Sequence, residues 1–216
     1  MLRTAVFSLL VLLCGWGAAT WLTHDFQVWT EEGSRRLDVA LYPVAPPTVP
    51  IQGPYVTASD LPQLLAQPGR VTVVDFIYTH CQTVCLALGS SFQQIQTELK
   101  SGRPIAGNDD VRLLSISFDG TRDDRAALKS YAARLNADPD LWRFVRVPQP
   151  SEQQALLRRL GVVVIPDGRG DYEHNAALLV FNDRGHLVRI FDLAERELAL
   201  NYARHLAKLQ TAKAPA

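Results

Sequence analysis

The run Val71-Thr-Val-Val-Asp-Phe-Ile-Tyr78 is apolar and β-branched at nearly every position, which predicts a strand buried on both faces. Beyond it, Val84, Leu88, Phe92, Ile95 and Leu99 recur at three-and-four spacing and predict an amphipathic helix over 84–99. The two patterns then alternate. Strands are expected at 111–118 and 142–147, and helices at 123–135 and 151–160. Acidic residues open the first of these helices, where the macrodipole favours them. Ser151 with Gln154 three residues on reads as a capping box for the second. Residues 176–181 and 186–191 are expected to pair as a hairpin around Asn182-Asp-Arg-Gly185, with Gly185 left-handed. An amphipathic helix over 195–209 ends the pattern. Alternating strands and helices, followed by a hairpin and a helix, predict an α/β fold. It is a thioredoxin-like arrangement, a central mixed sheet flanked by helices.

The N-terminal pattern is different. Residues 4–22 carry no charge and, at about 1.5 Å per residue, span roughly 28 Å, close to the thickness of a hydrocarbon core. Trp16 and Trp21 sit at the far end, where interfacial aromatics belong. Residues 1–23 therefore read as a membrane anchor, with a signal sequence cleaved near Gly17-Ala-Ala19 as the rival. Arg3 and the α-amino group are the positive charges before the span, which orients the body outward: inner membrane, single-pass, domain facing the periplasm. Cys14 follows Leu13, where a lipoprotein signal needs a small residue. Residues 24–56 read as a Pro-rich connector. Within it 37–42 alternates like a strand, and Pro43, Pro46, Pro47, Pro50 and Pro54 suggest an extended spacer. The domain proper is expected over 57–216, entered by a short helix at 57–67.

With 216 residues and 47 % hydrophobic content, the chain has enough for one well-buried domain and little for a second. Its 22 basic and 22 acidic residues cancel, which excludes an electrostatic nucleic-acid footprint.

Chemistry concentrates at Cys81-Gln-Thr-Val-Cys85, directly after the first buried strand. On the first turn of a helix two such thiols share a face, with Cα atoms about 6 Å apart, inside the disulfide range. Deprotonated, the same pair is a soft clamp for Cu(I). A helix N-terminus favours the thiolate in either case. A static disulfide is the third reading, though a bridge over so short a loop removes little unfolded-chain entropy. Asp75, inside the strand, is a candidate proton acceptor for thiol chemistry or a paired structural carboxylate. Asp119 stands at the C-terminal edge of the second strand, as a functional or a turn-capping residue. His80 adjoins Cys81 and is a loop support, a substitute ligand or a tuner of the thiol.

Asp75-Phe-Ile-Tyr-Thr-His-Cys-Gln-Thr-Val-Cys85 resembles the active-site strand and loop of the Sco/SenC family. Leu114-Ser-Ile-Ser-Phe-Asp119 and Asp171-Tyr-Glu-His174-Asn-Ala-Ala-Leu-Leu-Val-Phe-Asn-Asp-Arg-Gly185 are similar in order and spacing to two further family stretches. The resemblance covers roughly residues 70 to 210. It implies a membrane-tethered, copper-binding assembly factor for the dinuclear copper centre of cytochrome c oxidase, and not a turnover enzyme. Cys81, Cys85 and His174 would be the copper ligands, with Cys81 and Cys85 also a redox-active dithiol. The implied partners are the oxidase's copper-centre subunit and another periplasmic copper chaperone or thiol reductase. The family's usual prolines after the cysteines are replaced by Gln82 and Leu86, and its usual Asp-Pro by Asp119-Gly120. The alternatives without metal are a thiol–disulfide oxidoreductase, in which one thiolate attacks a partner disulfide and the second resolves it, a redox sensor, and a thiol peroxidase.

Overall fold

The computed structural model describes residues 2–23, 25–26, 28–80, 84–101, 110–168 and 170–212, with the backbone alone over 84–87. After the apolar helix α1 (Leu2–Leu22) come α2 (Glu31–Leu41) and α3 (Leu61–Leu65). Next follow β1 (Val71–Ile77), α4 (Val84–Lys100), β2 (Val111–Ser117), α5 (Arg125–Arg134), β3 (Trp142–Arg146) and α6 (Pro150–Leu160). The chain ends with β4 (Val164–Pro166), β5 (Tyr172–His174), β6 (Ala177–Phe181), β7 (Leu187–Asp192) and α7 (Arg196–Thr211).

The main sheet runs β3-β2-β1-β6-β7. The first three strands are parallel, joined by the helical crossovers such pairs require, and β6 and β7 are antiparallel. This is the expected thioredoxin-like mixed sheet. Its core strand β1 is buried along its whole length, and Leu88, Phe92 and Ile95 of α4 are fully buried as their spacing predicts. Phe92 stacks on Trp142 of β3, Tyr131 of α5 packs edge-on to Phe144, and α7 lies against β1, β6 and β7. Gly185 closes the β6–β7 hairpin at φ 73°, and the Asn182 side chain accepts the amides of Arg184 and His186.

Three local expectations are corrected. Residues 37–42 are not a strand: they finish α2, whose polar first half carries the start signals. The Thr30 hydroxyl accepts the Gly33 amide at 3.0 Å, Glu31 and Glu32 occupy the first turn, and Val39 is buried as α2 packs on β7. Helix α6 begins at Pro150, a residue suited to the first turn, and Ser151 does not cap it. The helix expected at 57–67 shrinks to α3, capped by Asp60 accepting from the Gln63 amide.

The Pro-rich stretch is extended but does not stand off as a spacer. Val44 bridges to Leu187 on the β7 edge, and Gln52 bridges to Arg146 on the β3 edge. Both open edges of the sheet are thereby partly covered, and Val49 and Ile51 enter the core. Gly53 is required here: a Cβ would lie 2.0 Å from the Phe144 carbonyl oxygen.

Helix α1 has a mean hydropathy of 1.9, none of it is buried, and it is long and apolar enough to cross a membrane. Trp16 packs against Phe26, and Phe26 against Trp29, just beyond its end.

Candidate functional site

The site forms where β1 and β2 end. Beyond β1 come Tyr78, Thr79 and His80; beyond β2 comes the loop Phe118-Asp-Gly-Thr-Arg-Asp-Asp124. Cys81 lies outside the described residues. Cys85 is in the first turn of α4, where its backbone is placed; its side chain is outside the description.

Asp123 is the centre of this end of the sheet, and the sequence did not single it out. Its carboxylate is fully buried and accepts three hydrogen bonds: from the Thr79 amide at 2.9 Å, the Thr79 hydroxyl at 2.6 Å and the Ser117 hydroxyl at 2.6 Å. His80 Nδ1 lies 3.7 Å from the same carboxylate on an exposed ring. The residue two positions before Cys81 is thus fixed to the loop after β2. Its neighbour Asp124 does a different job, capping α5 by accepting the Ala127 amide. No motif distinguishes the two. The one available signal was that two adjacent acids precede a helix needing a single cap.

Asp119 is a turn residue. Its carbonyl accepts the amides of Arg122 and Asp123, and its carboxylate pairs with the Arg122 guanidinium. Gly120 explains the missing proline. Its amide donates to Gln153 Oε1 at 2.9 Å, a bond proline cannot make, and Gln153 returns a bond to the Phe118 carbonyl. A Cβ on Gly120 would lie 2.2 Å from the Val147 carbonyl oxygen. Gly120→Ala should therefore lower stability by about 2 kcal/mol, as overpacking does. Gly120→Pro should cost more, because it also removes the amide. Urea unfolding of the two variants checks both the sign and the order.

His174 reaches this end of the sheet on β5, which pairs only with β4 in a small separate ribbon. Neither short strand was foreseen: each has three residues, and one contains Pro166. Within the ribbon His174 lies opposite Val164, and its ring meets Phe118 edge-on with centroids 5.0 Å apart. Tyr78, Phe118 and Tyr172 complete an aromatic cluster around it. The Tyr78 hydroxyl contacts Asp171 Oδ1 and accepts from the Tyr172 amide, both at 3.4 Å, tying the end of β1 to the histidine strand. Burial pushes the His174 imidazole below its ordinary pKa, partly opposed by the backbone of Asn175. The ring is therefore neutral near pH 7, the form that binds metal.

Asp75 is fully buried in mid-strand. Strand register sets it beside Ser115, whose hydroxyl accepts the Trp142 indole N–H at 2.9 Å, so Asp75 faces the layer covered by α4. No cation lies beside the carboxylate among the described residues, and the Ser115 hydroxyl is its nearest polar side-chain neighbour. Burial drives its pKa up to about 7, offset only in part by the Ser115 hydroxyl and its own backbone amide.

The structure brings His174 against Phe118 in the loop after β2, and Thr79 and His80 against Asp123 of the same loop. Among the described residues no three His, Cys, Asp or Glu side chains converge as a metal site. The expected set depends on Cys81 and the Cys85 side chain, which lie outside them. The sequence model of the SCO1/SenC family matches residues 65–210, which spans both loops and the histidine strand. The chain belongs to the SCO1/SenC family. A curated SCO1/SenC relative, the SCO1 protein homolog of Bacillus subtilis (strain 168), is 30 % identical over 129 residues. That match covers 59 % of this chain and 64 % of the relative, so the chain spans less than two thirds of the relative's length. Among solved structures, a putative electron transfer protein from Aquifex aeolicus VF5 superposes with a TM-score of 0.64 at 18 % identity, over 79 % of this chain and 95 % of that one. Bradyrhizobium japonicum ScoI with copper bound gives 0.60 at 23 % identity, over 75 % and 99 %. Yeast Sco1 with copper bound gives 0.60 at 17 %, over 80 % and 96 %. These structural likenesses show the SCO1/SenC fold.

Proposed function

We propose that this SCO1/SenC chain is a membrane-tethered assembly factor. It would bind one copper ion through Cys81, Cys85 and His174 on the periplasmic side. It then passes copper, or reducing equivalents, to the copper-centre subunit of cytochrome c oxidase. The observation carrying the proposal is the placement of a half-buried, neutral His174 at the end of β1, where the cysteine loop begins. The donor set suits the cargo. Two thiolates hold Cu(I), and an imidazole makes the site acceptable to Cu(II) as well. Bradyrhizobium japonicum ScoI and yeast Sco1, both structural relatives, are copper-bound proteins by name. Oxidising the two thiols to a disulfide removes both sulfur donors, so redox state would gate loading.

The test is copper binding by the full chain in detergent, with Cu(I) titrated against a competing chelator and the thiolate-to-Cu(II) charge-transfer band recorded. One tight copper per chain is expected. Cys81→Ser/Cys85→Ser should abolish it, and His174→Ala should weaken Cu(II) more than Cu(I). Copper that binds as well without His174, or only weakly to the unaltered chain, sinks the proposal.

A second reading, thiol–disulfide exchange without metal, is favoured by Asp75. A carboxyl with a pKa of about 7 in the strand leading to Cys81 suits a proton acceptor for a thiol. Under that reading both cysteines are needed for reduction of a disulfide substrate and His174 is dispensable.

A further inference from the structure

The β4–β5 ribbon that carries His174 is an isolated two-stranded element, and such ribbons are marginal on their own. It has to be held from outside. At its base the Asn175 side chain accepts the Val163 amide and donates to the Gly161 carbonyl, and on the inner side Tyr78 contacts Asp171 and Tyr172. Near its tip Gly168 and Gly170 both take positive φ and offer no side chain to pack. Among the described residues, the Arg122 side chain reaches across to that end. The Arg122 guanidinium pairs with Asp119 through Nε, donates to the Gly170 carbonyl at 2.9 Å, and lies over the Tyr172 ring at 5.4 Å. Arg122 directly precedes Asp123. Two neighbouring residues therefore point opposite ways, one holding Thr79 ahead of Cys81, the other holding Gly170 and Tyr172 ahead of His174.

We propose that Arg122 is a positioning residue, a latch that fixes the histidine strand beside the end of β1 and so sets how well His174 serves as a copper ligand. The proposal rests on the copper reading for its consequence but not for its mechanics. A planar guanidinium is needed, because it bonds through its edge to both a carboxylate and a carbonyl while its face stacks on a ring; a lysine ammonium cannot do all three. The Arg122 side chain is 42 % exposed, so removing it leaves the core packed.

The experiment compares the unaltered chain, Arg122→Ala, Arg122→Lys and His174→Ala, all full-length in detergent. Hydrogen exchange of the metal-free proteins is read over 170–176, together with Cu(I) and Cu(II) affinity, the charge-transfer band and the unfolding midpoint. Arg122→Ala should speed exchange in this segment and weaken Cu(II) binding, each by about tenfold, the worth of one charge-assisted hydrogen bond. Its band should move toward that of His174→Ala, with Cu(I) affinity and the unfolding midpoint nearly unchanged. Arg122→Lys, which keeps the charge beside Asp119, should fall between. If exchange over 170–176 in Arg122→Ala matches the unaltered chain, there is no latch. Equally, if both Arg122 variants slow or speed exchange everywhere to the same degree, Arg122 is a general stabiliser and the proposal fails. Should the unaltered chain show no His174-dependent copper band, the copper reading fails instead, and the metal-free exchange still decides the latch.

Discussion

Asp75→Asn is expected to stabilise the domain by roughly 4 kcal/mol at pH 8 and to leave it nearly unchanged at pH 3.5. The carboxyl is fully buried, and burial, only partly offset by the Ser115 hydroxyl, pushes its pKa from 3.8 up to about 7. In that situation the folded protein holds the proton more tightly than the unfolded chain. Below about pH 3.8 both states are protonated and no penalty exists. As pH rises toward 7 the unfolded chain ionises first, so stability falls, and above 7 the penalty is complete. At about 1.4 kcal/mol per pK unit, the gap between 3.8 and about 7 gives the stated difference. Asparagine keeps the shape and cannot ionise. Urea unfolding of both proteins at a series of pH values should show the curves converging in acid and parting across the interval from 4 to 7. Curves that stay parallel would show that Asp75 is solvated or paired in solution. A carboxyl retained at such a cost also fits the proton-acceptor role of the metal-free reading, since a stability-optimised strand would not keep it.

The opposite sign is expected at Asp123. Asp123→Ala should destabilise the domain by about 3–5 kcal/mol, because it strands a buried amide and two buried hydroxyls that now share one carboxylate. The two hydroxyls can rotate toward other acceptors, but the Thr79 amide cannot. Asp123→Asn should lose less, since its remaining oxygen still accepts while its amide group faces donors. The denaturation midpoint gives the total, and exchange of the Thr79 amide shows whether the loss is local. An unchanged midpoint in Asp123→Ala would mean that the loop has found another acceptor. Both aspartates are fully buried and stand on neighbouring strands or their loops. What separates them is the count of donors aimed at each.

That difference marks what was legible in the sequence. The β-branched run of β1, the three-and-four spacing of Leu88, Phe92 and Ile95, and the turn at Gly185 are local patterns, and each folds as its pattern predicts. Helix α2 was misread because six alternating residues, 37–42, fit a strand as well as the end of a helix and its cap. The deciding signals, Thr30 and the two glutamates, lie upstream in a stretch that looked like a tether. Position 174 was found only through its likeness to a family loop, since the three-residue strands around it carry no period. The part played by Asp123 was out of reach, because it depends on Thr79, forty-four residues earlier in the chain, arriving beside it. Gly120 was visible as a departure. Its reason, the Gln153 side chain and the Val147 carbonyl filling the space where a ring would sit, belongs to tertiary structure.

The docking of α2 on β7 carries a consequence for how far the protein can roam. Only eight residues separate Leu22 from Glu31, and even a fully extended chain of that length measures at most about 28 Å. With α1 in a bilayer, the domain is confined to a layer about one protein diameter deep against the surface. A client embedded in the same membrane meets it by lateral diffusion at high local concentration, while a client in bulk solution gains nothing from the attachment.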